Sequence, residues 1–263
     1  MGDGTSVSWG WSNRGELVDG VELPVRGDGY RVPAPWATRG NNWGTEELVG
    51  LIVRVGRRLQ LEHPGDTLYV ADLSPRRGGA SAWHRSHQTG RDADLHFFAV
   101  DAEGHATAAP TSMESYDASG VISETDAWGY PIVQRRFDVE RNWRVVRALL
   151  EDPVVEVQFL FISAPLRRLL LEHARAISEP SELVERAAAV LGQPGGALPH
   201  DDHLHVRIYC PESDRSLGCR DRGPERWLKK GWKYVAARPL AATTLVAEIP
   251  MCRLMPAPLV AGR

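Results

Sequence analysis

The chain has 263 residues, 43% hydrophobic and 25% charged, enough apolar material for one large globular domain with a sizeable core. Its formal net charge of −3 excludes the basic excess of a nucleic-acid binder, and pairs such as Arg76-Arg77 and Lys229-Lys230 read as solvated surface. No uncharged apolar run reaches the ~18 residues of a membrane span. The opening Met1-Gly-Asp-Gly-Thr carries neither the basic nor the apolar stretch of a secretory signal, which fits a cytoplasmic chain or one begun at a mature end.

Residues 1–40 are rich in Gly, Asn, Arg and Pro with little periodicity, and the expectation is a loop-dominated lead-in wrapping the core. In residues 45–62, Leu48, Leu51, Ile52, Val55 and Leu59 recur at helical spacing, with Thr45 as N-cap and Pro64 beyond the end. Thr67 to Leu73 reads as a strand, 74–81 as a loop, and Ala93 to Val100 as a second strand. The polar segment 101–138 carries Gly104, Pro110, Gly120, Gly129 and Pro131 and is assigned no regular structure. Residues 139–151 predict a helix ended by Pro153, and Val154 to Ile162 a buried strand. Two short helices, Leu166 to Ile177 and Glu182 to Leu191, precede a last core strand, Leu204 to Tyr209, with His203 just ahead of it.

Helices and strands mix without regular alternation. The predicted class is α+β, a single domain with a central antiparallel sheet flanked by helices. After Tyr234 the composition turns to Ala, Pro and Leu. The predicted division is a loop-rich segment 1–40, a main domain 41–235 and a C-terminal extension 236–263 lying on the core.

None of the three cysteines, Cys210, Cys219 and Cys252, forms a C-x-x-C pair, which disfavours a thiolate metal site. Cys210 and Cys219 flank a short polar stretch with Pro211 and Gly218, open either to a disulfide or to two free thiols. Cys252 reads as an inert thiol.

Five of the nine histidines fall in two segments. One holds His84 and His87 with Asp92 and Asp94; the other holds His200, His203 and His205 with Asp201 and Asp202. Imidazole and carboxylate at this density are what a catalytic zinc site requires, three protein ligands with a fourth position for water. His203 and His205 share one face of a predicted strand, as do Asp94 and His96 on another. Gly90 lets the chain turn back between His87 and Asp94. Two strands and one loop can thus bring His87, Asp94 and His205 together. His-Glu-x-x-His and His-x-x-Glu-His are both absent, so a metallopeptidase here carries its ligands on strands.

Asp72-Leu-Ser-Pro75, Gly78-Gly79, Ser86-His-Gln-Thr-Gly-Arg-Asp-Ala-Asp94, His200-Asp-Asp-His-Leu-His-Val-Arg207 and Cys210-Pro211 together resemble the penicillin-insensitive murein endopeptidases. These belong to the wider zinc peptidase group of lysostaphin-type enzymes, D-Ala-D-Ala peptidases and the hedgehog fold. The resemblance spans roughly residues 40–235 and rests on both signature segments in order. It implies a hedgehog/D-Ala-D-Ala peptidase-like fold and a Zn2+ ion on His87, Asp94 and His205. It also implies that His203 acts in catalysis behind the ligands, that His84 and His200 are further active-site histidines, and that Cys210 and Cys219 are disulfide-bonded. D-Ala-D-Ala peptidases carry a small residue at the position of Asp92 and Ser at that of Arg85; Asp92 fits the endopeptidase branch.

The implied reaction is hydrolysis of the D-Ala to diaminopimelate cross-link in peptidoglycan stem peptides, insensitive to penicillin and outside the cytoplasm, in the periplasm or secreted. His203 is the expected proton shuttle, with His200 or Asp202 sharing the base role, and Asp92 or Asp201 orienting a ligand histidine. The alternatives are a D-Ala-D-Ala carboxypeptidase or dipeptidase of the same fold and a non-catalytic, zinc-containing wall-binding module.

Overall fold

The structure, a computed structural model, describes residues 4–223. Lys229-Lys230, Cys252, the boundary expected at residue 235 and the extension 236–263 lie outside the described residues.

The chain begins with a hairpin, β1 (Val7–Trp11) and β2 (Arg14–Val18), followed by the two-residue strands β3 (Val21–Glu22), β4 (Arg26–Gly27) and β5 (Tyr30–Arg31). α1 (Ala34–Ala37) and β6 (Trp43–Gly44) lead into α2 (Glu46–Glu62), then β7 (Leu68–Tyr69), β8 (Asp92–His96) and β9 (Ala99–Val100). A second hairpin, β10 (Val121–Thr125) and β11 (Pro131–Phe137), precedes α3 (Val139–Leu150), β12 (Val157–Phe161), α4 (Ala164–Ala176), α5 (Ser181–Val190) and β13 (Leu191–Gly192). β14 (His203–Ile208), α6 (Glu212–Leu217) and β15 (Cys219–Arg220) complete the described chain.

Helices and strands are mixed, as the α+β reading requires. The helices form where their sequence signals lie. Thr45 Oγ1 accepts from the Leu48 amide at the start of α2, and Asp138 caps α3 by accepting from the Arg141 amide at 3.0 Å. Both helices bury one apolar face, Leu48, Leu51, Ile52, Val55 and Leu59 on α2 and Trp143, Val146, Leu149 and Leu150 on α3.

The central sheet has the order β13-β12-β14-β8. β14 runs antiparallel to both neighbours, while the short edge strand β13 is parallel to β12. Alternation along β14 sends Leu204, Val206 and Ile208 into the apolar core shared with the helices, together with Ala93 and Leu95 of β8. His203, His205 and Arg207 stand on the opposite face, beside Asp92, Asp94 and His96.

The strand expected over 67–73 is a strand only at β7, Leu68–Tyr69, and three further segments differ from the sequence reading. The strand expected over 93–100 is broken after His96, because Asn142 of α3 takes both backbone groups of Phe98: its Oδ1 accepts from the Phe98 amide and its Nδ2 donates to the Phe98 carbonyl. Residues expected as lead-in loop contain the β1–β2 hairpin, whose first strand pairs in parallel with β15. Buried Arg91 joins these pieces, donating to Ser8 Oγ, the Ile208 and Arg220 carbonyls, and Asp221. The segment 101–138 is built around one turn used three times. Asp101, Asp117 and Asp126 each accept the amides two and four residues ahead, and a glycine three residues ahead takes positive φ. The last of these turns closes the β10–β11 hairpin.

Candidate metal centre

Asp94 is the hub. Its carboxylate is buried, and His87 Nε2 and His205 Nδ1 each lie 3.2 Å from Oδ1. Those two nitrogens are 3.4 Å from each other. His203 Nε2 approaches Oδ1 at 3.3 Å and His84 Nδ1 approaches Oδ2 at 3.5 Å. None of these nitrogens meets Asp94 in hydrogen-bond geometry, so both buried oxygens are without a hydrogen-bond partner among the described residues. Buried acceptors left this way are costly, and the arrangement fits a cation. Ligand bonds of about 2.0–2.1 Å in a tetrahedral set give edges of roughly 3.3–3.4 Å, close to the three distances around His87, Asp94 and His205.

The outer nitrogen of each of these two histidines has a fixed partner. His87 Nδ1 lies 2.8 Å from the Leu73 carbonyl, and His205 Nε2 lies 2.8 Å from Asp92 Oδ1. Each bond requires a proton on the outer nitrogen, which leaves the inner one with a lone pair in the neutral ring. His87 reaches this pose from a left-handed backbone, φ 63°, a conformation costly for a side-chain-bearing residue and typical of functional sites. Gly90, at φ 72°, lets Thr45 donate its amide to the Gly90 carbonyl; a Cβ there would stand 2.6 Å from Leu17 Cδ1.

Around the triangle the charges are arranged in pairs. Burial works against ionisation of Asp92 and Asp94. The nearby Arg207 and His205 nevertheless hold Asp92 well below the usual carboxylate range, and His87 and His203 do the same for Asp94. Asp202 accepts from His203 Nδ1 at 2.6 Å. Against the effect of burial, Asp94 and Asp202 push His203 up to about 10; a cation on Asp94 weakens that pull. Burial, then His205 and His203, pushes His200 down to about 4, so it is neutral at pH 7. His200 takes a Gln193 Oε1 bond at its amide and rests against Phe161. His84 stacks on His87 with centroids 4.2 Å apart.

The candidates His84, His87, Asp92, Asp94, His203, His205 and Asp202 are thus gathered at one place, with His200 on its flank. Asp201 enters only through its carbonyl, which accepts from the Tyr116 amide. Cys210 and Cys219 stand with their sulfurs at bonding distance and 5.9 Å between Cα atoms.

Sequence reading assigned no part to Asp72, Arg39 and Arg207. Asp72 Oδ2 lies 3.0 Å from His84 Nε2 and also accepts from Arg39 Nη1 at 2.6 Å. Arg207 Nε donates to Asp92 at 2.6 Å. The available signal for Arg207 was its place two residues beyond His205, hence on the same strand face.

The family model for penicillin-insensitive murein endopeptidases matches residues 8–229. A penicillin-insensitive murein endopeptidase of Klebsiella pneumoniae is 25% identical over 224 residues, covering 84% of this chain and 72% of that protein. One of Haemophilus influenzae is 26% identical over 231 residues, covering 84% and 69%. One of Yersinia enterocolitica is 24% identical over 216 residues, covering 81% and 68%. Since the family match runs from within β1 to beyond β15, the chain belongs to the penicillin-insensitive murein endopeptidase family.

Proposed function

We propose that this chain is a zinc-dependent endopeptidase cutting the D-alanine to diaminopimelate cross-links of peptidoglycan, with His87, Asp94 and His205 as the metal ligands. The observation that carries this reading is the triangle of His87 Nε2, Asp94 Oδ1 and His205 Nδ1, with edges of 3.2, 3.2 and 3.4 Å. Two imidazoles and one carboxylate suit zinc and leave a position for water. When bound, zinc supplies a Lewis acid and a water acidic enough to ionise near pH 7.

The remaining side chains have separable tasks. His203 is the proton carrier: Asp202 occupies its Nδ1, so Nε2 is the atom that exchanges a proton on the Asp94 side. Asp202 stabilises the imidazolium and holds the ring. His200, neutral at pH 7, donates a hydrogen bond to the substrate. Asp92 orients His205. His84 lines the opposite side, held by Asp72.

Peptidoglycan lies outside the cytoplasm, and we place the protein in the periplasm or outside the cell, where oxidising conditions keep a Cys210–Cys219 disulfide closed. No helix among the described residues is long and apolar enough to cross a membrane.

The test is to determine zinc per chain and to incubate the protein with cross-linked muropeptide dimers, with and without chelator, identifying products by mass. Chelator-sensitive conversion of dimers to monomers, unaffected by penicillin, is the expected result. Zinc-loaded protein that releases only terminal D-alanine points to a carboxypeptidase, and one that cleaves nothing points to a wall-binding module. Protein that binds no zinc removes the ligand assignment.

A further inference from the structure

Arg39 stands at the rim of the metal centre, just past α1, on a turn where its amide donates to the carbonyl of buried Trp36. Its guanidinium carbon lies 4.5 Å from the centroid of the Trp83 ring and 5.5 Å from that of Trp36. Asp72 ties this group to the site. Its Oδ2 accepts from Arg39 Nη1 at 2.6 Å and lies 3.0 Å from His84 Nε2, while His84 Nδ1 lies 3.5 Å from Asp94 Oδ2. The Asp94 amide also donates to the Asp72 carbonyl, so the carboxylate that holds Arg39 and the one at the hub of the centre sit on paired backbone.

Asp72 uses one end of the guanidinium. Among the described residues the bond from Nη1 is the only hydrogen bond of the Arg39 side chain, which leaves Nε and Nη2 without one. Those two nitrogens are the fork with which Arg54 holds Asp152, at 2.7 and 2.9 Å, a planar arrangement that matches a carboxylate. The Arg39 side chain is 27% exposed, against 12% for Arg207, the other arginine at the centre. Trp83, the residue before His84, is 63% exposed. Aromatic contact and a buried carboxylate fix the guanidinium before any ligand arrives, so little freedom is left to lose on binding.

We infer that Arg39 is a specificity-determining residue whose free fork, beside Trp83, takes the carboxylate on the carbon that bears the scissile nitrogen. In a D-alanine to diaminopimelate link that carboxylate belongs to the diamino acid, and the inference rests on the peptidoglycan reading above. The reacting bond stays at the triangle of His87, Asp94 and His205; only the carboxylate reaches past His84 to Arg39. Hydrolysis breaks the bond between the alanyl carbonyl carbon and that nitrogen, with hydroxyl going to the carbon and a proton to the nitrogen. It leaves the carboxylate unchanged. Arg39 therefore holds substrate and transition state alike and acts on KM more than on kcat.

Two measurements test it. In the first, dimers whose diaminopimelate carboxylate is free or amidated are compared as substrates of the zinc-loaded protein. Wild type prefers the free carboxylate by about tenfold or more in kcat/KM, the scale of a hydrogen bond to a charged group. Arg39→Gln brings that ratio close to one, mainly by raising KM for the free-carboxylate dimer. Arg39→Lys, which can keep the ion pair with Asp72 but lacks the fork, recovers part of the ratio at most. Trp83→Ala, with Arg39 intact, lowers it about two- to fivefold, the worth of an exposed cation–π contact. Equal losses on both dimers would make Arg39 a support for Asp72 alone and overturn the inference, as would full recovery in Arg39→Lys. Should Arg39→Gln fail to fold, as judged by its melting curve, Arg39→Lys and Trp83→Ala carry the comparison. In the second, the zinc-loaded protein is titrated calorimetrically with N-acetyl-D-alanine, which bears a carboxylate beside an acylated nitrogen, and with its amide. Wild type binds the acid about tenfold or more tightly than the amide, and Arg39→Gln abolishes the difference; the same difference in both proteins would overturn the inference. If wild type leaves all dimers intact, the peptidoglycan reading fails, while this titration still decides whether Arg39 reads a carboxylate.

Discussion

The two faces of β14 are interleaved residue by residue, yet they are held by opposite physics. Leu204, Val206 and Ile208 enter an apolar core, where removal from water is the driving force and a neighbour of similar size does nearly as well. His203, His205 and Arg207 are almost as deeply placed, but each depends on one named partner: Asp202, Asp92 and Asp92 again. The apolar face tolerates loss gradually. The polar face fails at once, because a lone buried charge or donor has nowhere to turn.

The comparison can be broken most severely at the proposed ligands. Asp94→Ala or His205→Ala is expected to abolish stoichiometric zinc and to lower dimer hydrolysis by roughly a thousandfold or more, corresponding to several kcal/mol of lost metal assistance; metal analysis beside a rate assay reads both. His203→Ala should retain zinc and lose about 10²–10⁴ in rate, and full activity in that variant would remove His203 from the mechanism. One position along, Leu204→Ala should do the converse: about 2–5 kcal/mol of unfolding free energy lost in urea, with zinc content unchanged where the protein remains folded. The smallest effect is expected behind the ligands. Asp92→Asn should weaken zinc binding about 10–100-fold, measured by competition with a chromophoric chelator. Unaltered affinity would mean that the 2.8 Å bond to His205 is dispensable for holding the ring.

The same contrast governs how much could be read from sequence. α2 was legible because its apolar spacing and Thr45 cap are both local. The clustering on β14 was legible because alternation places His203 and His205 on one face and apolar residues on the other. Asp72 was not given a part, since its partners Arg39 and His84 arrive from separate segments and nothing in the local pattern announces them. The β1–β2 hairpin is hard to read because its strands are short and mix polar with apolar residues; Ser8, a buried residue of β1, is satisfied by Asp214 and Arg91 from far along the chain. The segment 101–138 was partly legible after all: three Asp residues, each followed three positions later by Gly, mark its turns at Asp101, Asp117 and Asp126.

The long reach of the site's bonds also bears on when the enzyme first becomes able to act. His87 meets His205 across 118 positions, Asp92 meets the same ring across 113, and Arg91 spans 83 positions back to Ser8 and 130 forward to Asp221. Contacts so distant in sequence close late, after the loops between them have been ordered. A nascent chain carries His87 and Asp94 long before the strand that completes them exists. The newborn peptidase is therefore expected to stay inert until β14, and the anchoring residues out to Asp221, have been made.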